Sequence, residues 1–162
     1  MANIAQKITP FLWFDKEAEA AAHFYTSVFK DSKLGGKSYY GDNAPLPKGT
    51  VLTVSFTLFG TDFTALNGGP HFKFNEAVSF VVHCENQDEV NYYWDNLLKD
   101  GGKESQCGWL KDKYGLSWQV VPNRMMELLS DKDKEKANRV MQAMMKMVKI
   151  DLPTLEKAAA GE

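Results

Sequence analysis

The feature that most restricts what this chain can fold into is an order of elements that occurs twice. A strand-like run at 8–14 (Ile-Thr-Pro-Phe-Leu-Trp-Phe) leads into a helical pattern that ends at the Gly35-Gly36 pair, and then into further strand-like runs. A second run at 77–84 (Ala-Val-Ser-Phe-Val-Val-His-Cys) starts the same order again. Phe24-Tyr25 and Tyr93-Trp94 lie 69 residues apart, and Gly35-Gly36 and Gly101-Gly102 lie 66 apart. Shared order at a nearly constant offset predicts a duplicated βαβββ unit. The class is therefore α+β: two tandem βαβββ modules followed by a helical tail. The boundaries are one domain over 1–162, with a first module at 5–69, a second at 76–122 and the tail at 123–162.

Local signals place the elements. Pro10 puts the start of the first strand at an edge or bulge. Asp15 is positioned to cap the first helix, in which Ala18, Ala21, Ala22, Tyr25, Val28 and Phe29 share a face. Strands are predicted at 37–41, 50–59 and 62–66, with a mobile, proline-containing loop at 42–49. Asn86 and Glu89 form a capping-box-like pair ahead of a helix whose apolar face carries Val90, Tyr93, Trp94, Leu97 and Leu98, and Gly101-Gly102 stops it. Strands at 104–111 and 116–122 complete the unit. In the tail, Ala137, Val140, Met141, Met144, Met145 and Val148 fall on one helical face, and Asp151-Leu152-Pro153 opens a last short helix. A methionine stripe of this kind suits a core or a subunit interface.

The chemistry gathers in one hairpin. Cys107-Gly108-Trp109 and Ser117-Trp118-Gln119 flank a turn built from Asp112, Lys113 and Gly115. Strand alternation turns Gln119 away from Trp118 and puts Cys107 and Trp109 on one face. If that face lines a cavity, Cys107, Trp109 and Gln119 line it with Trp13 and Asn67; otherwise the residues form a structural aromatic cluster around a buried amide. His71 follows Asn67 closely and sits at the mouth of such a pocket. His23 and His83 read as surface or satisfied histidines, since no two histidines share a ligand spacing on one element.

Composition narrows the partners. The net charge is −2, which gives no electrostatic case for nucleic acid or an anionic membrane, and no apolar run is long enough to span a bilayer. Residues 1–7 lack a signal-peptide pattern, so a cytoplasmic protein is expected. Cys84 and Cys107 are the only cysteines and are expected to be reduced.

The paired modules, the hairpin and the Leu66-Asn67-Gly68-Gly69 turn resemble the vicinal oxygen chelate superfamily of glyoxalase, bleomycin-resistance and dioxygenase folds. Within it the chain is similar to the PhnB-like branch that carries the label 3-demethylubiquinone-9 3-methyltransferase. Leu12-Trp13-Phe14, Phe24-Tyr25 and Pro70 add to the match, which runs over roughly residues 5–150. The resemblance implies that each module curls into a cup-shaped mixed sheet around a small-molecule pocket, and that the chain pairs as a homodimer. Metal-dependent members carry a His on the first strand of each module and a closing Glu. Those positions fall near Ile8 or Pro10, on Ala77 or Ser79, and on Gln119, so no metal is expected. No GxGxxG stands between a strand and a helix, so no nucleotide-like cofactor is expected either, and the methyltransferase label reads as inherited nomenclature.

Three functions follow. The first is a metal-independent enzyme with Cys107 as the reactive group and Trp13, Asn67, Trp109 and Gln119 holding the substrate. The second is a ligand-sequestering protein of the bleomycin-resistance kind. The third is a structural dimer with a vestigial pocket. A true methyltransferase ranks below these.

Overall fold

The computed structural model describes residues 6–162. The first-module start at residue 5 lies outside the described residues. The chain divides into two compact units at Lys73 and Phe74.

In the first unit, β1 (Phe11–Phe14), β2 (Ser32–Tyr39), β3 (Val51–Leu58) and β4 (Thr61–Asn67) form a sheet of order β1-β4-β3-β2. β1 runs parallel to β4, and the other pairs are antiparallel. Helix α1 (Ala18–Val28) covers one face. Its contact side is mostly alanine, so Ala18, Ala21 and Ala22 bring the backbone close to the sheet and Tyr25 fills the gap. Tyr25 stacks on Phe56 at 5.8 Å between centroids, and Phe56 on Phe63 at 5.3 Å. Alternation along the strands puts Leu12, Phe14, Val54, Phe56, Leu58, Phe63 and Ala65 under the helix, and all are buried.

Two local expectations change here. The Gly35-Gly36 pair does not end a helix. It lies inside β2, where the register shifts between Leu34 and Lys37. A Cβ on Gly35 would come within 2.3 Å of the Ser55 hydroxyl oxygen, so the glycine marks a close approach of two strands, not a stop. Nor does Asp15 cap α1. Glu17 holds the cap position without a side-chain bond, and the carboxamide oxygen of Asn67 accepts from the Ala18 N–H instead, at 2.8 Å.

The second unit repeats the plan. β5 (Ser79–Cys84), β6 (Lys103–Glu104), β7 (Trp109–Lys111) and β8 (Ser117–Pro122) form a sheet of order β5-β8-β7-β6. β5 and β8 are parallel, and the rest antiparallel. The strand expected over 104–111 is two strands joined by a tight turn at 105–108, where Cys107 and Gly108 adopt left-handed backbone. Helix α2 (Gln87–Leu97) buries Val90, Tyr93, Trp94 and Leu97. Asn86 accepts from the Glu89 N–H at 3.0 Å, and Glu89 accepts from the Glu85 N–H at 2.8 Å. The capping box is present with its return bond one residue early.

The tail holds three helices, α3 (Asn123–Leu129), α4 (Lys134–Met144) and α5 (Leu152–Ala160). The first was not expected, because its seven residues follow Pro122 directly and carry only Met125 and Leu128 as a buried pair. Asp133 and Asp151 cap the other two. Val140, Ile150, Leu155 and Ala159 pack with Met125, Leu128 and Val121 of β8. The expected methionine stripe splits: Met144 turns toward that cluster, whereas Met141 and Met145 stay 39% and 59% exposed. Among the described residues no helix is long and apolar enough to cross a membrane.

Candidate functional site

The β7–β8 hairpin owes its shape to Asp112. This carboxylate is 3% exposed. One oxygen accepts from the Tyr114 and Leu116 N–H groups at 2.9 and 3.1 Å, and the other from the Trp118 indole N–H at 2.9 Å. An aspartate that bonds the backbone two residues on is a turn-forming device, and Gly115 supplies the positive φ of 86° that closes it. The turn fixes the register Trp109↔Gln119, Leu110↔Trp118 and Lys111↔Ser117.

That register sorts the side chains. Leu110, Trp118 and Val120 go beneath α2 and are buried. Trp109 and Gln119 oppose each other directly, so they leave the other face of the sheet together. Val81 of β5 stands beside Gln119 in the same row, and Ser79 beside Ser117 in the next. The Gln119 amide donates to the Ser79 hydroxyl at 2.9 Å. A cleft of about 190 Å³ opens next to Trp109, with Glu76, Lys103, Ser105, Lys111 and Ser117 among its walls. Lys111 is ion-paired with Glu76, and the bond from its ammonium holds the Glu76 carboxyl below the usual carboxylate range.

Cys107 does not follow the alternation that was expected to align it with Trp109. Its φ is +57°, it lies outside β7, and its N–H bonds to the Met147 carbonyl at 2.8 Å. The parity argument ends at Trp109. The Cys107 thiol is half-buried. Cys84, by contrast, is fully buried under α2, and burial, reinforced by Glu89, pushes its thiol up to about 12.

In the first unit the two site candidates separate. Trp13 pairs with Leu66 and points away from α1. Asn67 is paired with Phe14, points the other way and is 4% exposed. Its amide is engaged at both ends: the oxygen takes the Ala18 N–H, and the nitrogen donates to the Val51 carbonyl at 3.0 Å. Trp13 lies flat over Gly68, where a Cβ would sit 2.4 Å from the indole carbons. It donates its N–H to Gly69 at 2.8 Å and meets Phe72 edge-on at 4.9 Å. Asn67 thus caps α1, and Trp13 packs on the turn that follows β4. His71 is exposed after that turn. Sequence reasoning took Asp112 only as a turn former and Ser79 only as a metal position, and it passed over Lys103 and Lys111. The signal for Asp112 was an aspartate placed before Gly115 with an indole six residues on. Nothing local marks the lysines.

Two four-stranded mixed sheets of one topology, each backed by a helix, define the vicinal oxygen chelate fold. The chain belongs to the family described as 3-demethylubiquinone-9 3-methyltransferase, whose model matches residues 6–121. It is 38% identical to the PhnB protein of Bacillus cereus, over 72% of this chain and 99% of that one, with a TM-score of 0.65. The fold also matches the fosfomycin resistance protein FosX of Listeria monocytogenes at 14% identity, over 79% of this chain and 99% of that one, with a TM-score of 0.58. A Pseudomonas aeruginosa protein matches at 17% identity, over 73% and 98% of the two chains, with a TM-score of 0.59. No curated protein matches the chain.

The groups this fold and family imply do not fit the residues present. At the metal positions stand Ile8 or Pro10, Ala77 or Ser79, and Gln119. The Gln119 amide turns its nitrogen, a donor, toward Ser79. Among the described residues no three His, Cys, Asp or Glu side chains converge as a cation site. For a nucleotide-like methyl donor, the strand-to-helix connections are Asp15-Lys16-Glu17, Glu85-Asn86 and the direct passage from Pro122 to Asn123. None holds a glycine that would let a ribose approach the backbone.

Proposed function

We propose that the chain binds a small organic molecule on the face of the second sheet turned away from α2. The observation that carries this is the direct pairing of Trp109 with Gln119 beside Ser79, next to an open cleft. The indole offers a flat apolar wall. The Gln119 nitrogen is held by Ser79, which leaves its carbonyl oxygen to accept from a ligand hydroxyl or amide. A small set of placed polar groups against an aromatic wall is the usual composition of a ligand site. The two lysines of the cleft, Lys103 and Lys111, are balanced by Glu76 and Glu104. The reading needs neither metal nor nucleotide cofactor.

Turnover at Cys107 is the second reading. It is favoured by a half-buried thiol in strained left-handed backbone two residues from Trp109. Sequestration without turnover needs Trp109 and Gln119 alone. The methyltransferase of the family description ranks last, for want of a methyl-donor cradle.

The test is a fragment screen by ligand-detected NMR on the native chain and on Trp109→Ala. Losing the aromatic wall is expected to weaken the hits about tenfold, or roughly 1.4 kcal/mol, and to leave the chain folded. Hits that bind both proteins equally would place the ligand elsewhere.

The chain is further proposed to pair with a second copy. The exposed Met126, Met141 and Met145 give the tail an adaptable apolar surface, and symmetric pairing is the commonest assembly. Light scattering at micromolar concentration is expected to return twice the chain mass, and a monomer mass sinks the idea.

A further inference from the structure

The family model stops at residue 121, so the tail at 123–162 lies beyond the matched region. Yet the tail reaches back to the site-bearing hairpin. The Met147 and Val148 carbonyls accept from the Cys107 and Gly108 N–H groups, both at 2.8 Å, and the Gly108 carbonyl accepts from the Val120 N–H at 2.8 Å. The segment 147–150 thus lies as a strap against the turn from which Trp109 departs. Gly108 is the point of contact. Its φ is +83°, and a Cβ there would meet the Val120 carbonyl oxygen at 2.9 Å and Ile150 Cγ1 at 3.0 Å.

Two side chains of α2 reach this strap: Asp95 pairs with Lys149 at 3.7 Å, and Gln87 bonds its far end. Gln87, the first residue of α2, donates from Nε2 to the Ile150 carbonyl at 3.0 Å and accepts at Oε1 from the Leu152 N–H at 2.7 Å. A primary amide matched to one acceptor and one donor of a passing chain replaces the ladder bonds of a sheet neighbour. Between these bonds Ile150 is fully buried in the tail core and presses on Gly108. The path therefore runs from Gln87 to Ile150, to Gly108, and on to Trp109 and Gln119.

We infer that Gln87 is a positioning residue for the Trp109–Gln119 site, acting through the strap that the tail lays over Cys107 and Gly108. The inference rests on the binding reading above for its functional meaning, but its test needs no ligand. Gln87→Met keeps the bulk and removes both bonds to the strap; Gln87→Glu keeps the acceptor for the Leu152 N–H and removes the donor, and both lose the 3.2 Å bond from Gln87 to Asn91 within α2.

Amide exchange by NMR, the Trp109 indole N–H resonance and the rate of reaction with an aromatic disulfide reagent are the readouts. Cys84 is buried and stays silent, so the thiol reaction reports Cys107. In Gln87→Met the Cys107 and Gly108 amides should exchange about tenfold faster, with a matching rise in thiol reactivity and a shifted Trp109 signal. The Tyr114 and Leu116 amides, held by Asp112, should not change, and Gln87→Glu should fall between. The idea is overturned if the Cys107 and Gly108 amides exchange as in the native chain, or if every amide of the hairpin speeds up together, which is general destabilisation. Fragment hits indifferent to Trp109→Ala would instead remove the binding reading while leaving the exchange result intact.

Discussion

Asp112→Ala should destabilise the protein by about 3–4 kcal/mol, the largest loss expected of any substitution at the hairpin. The carboxylate is buried and takes two backbone N–H groups and the Trp118 indole N–H. Removing it leaves three donors without that acceptor, two of them buried and the Tyr114 N–H half-buried, and each buried donor left unsatisfied costs on the order of 1–3 kcal/mol. The turn would relax to lower the cost, which keeps the total below the simple sum. Asp112→Asn separates geometry from charge. Its remaining oxygen can serve the Tyr114 and Leu116 amides, but its nitrogen then faces the indole N–H, donor against donor, and about 2 kcal/mol should still be lost. Urea denaturation followed by near-ultraviolet circular dichroism checks both. A loss below about 1 kcal/mol for Asp112→Ala would mean that the strands, and not the aspartate, set the register.

The second large effect belongs to Asn67. Asn67→Ala should cost about 2–3 kcal/mol, because it removes the cap on α1 and uncovers the Val51 carbonyl in one step. Asn67→Asp should be milder, near 1–2 kcal/mol: the carboxylate still accepts from Ala18 and suits the positive end of the helix, but it turns an oxygen toward the Val51 carbonyl. Denaturation midpoints for the pair give the comparison. Equal losses in the two variants would show that the cap bond contributes little. Neither change should alter fragment binding at Trp109 if Asn67 has the structural role described.

These residues also show what the sequence can and cannot reveal. Element order and type were legible because they rest on local periodicity. The repeat of strand, helix and further strands needs nothing beyond alternation and helical spacing, and the two sheet orders match it apart from the split of 104–111 into two strands. The errors cluster where a distant residue decides. Asp15 is the local choice of cap, but the bond to Ala18 comes from Asn67, 49 residues away. Gly35-Gly36 looks like a terminator until Ser55 is set against it on the neighbouring strand. The run at 104–111 reads as one strand, since nothing in it announces that tail carbonyls will hold Cys107 and Gly108 in left-handed backbone. For the same reason the facing of Trp109 and Gln119 could be read from alternation across a recognisable turn, whereas that of Cys107 could not.

The strap has a consequence in time as well as in space. Chains emerge from the ribosome N-terminus first, and units tend to fold as they appear. The strands and helix of the first unit are all in hand by Lys73. The turn at 105–108 must wait for carbonyls that lie about 40 residues further along. During synthesis the nascent chain thus passes through a stage in which its first sheet is finished and the turn at 105–108 still lacks its tail partners. Residues 147 and 148 are made well after the turn they hold, so the left-handed backbone at Cys107 and Gly108 gains its partners only once that later segment is in place.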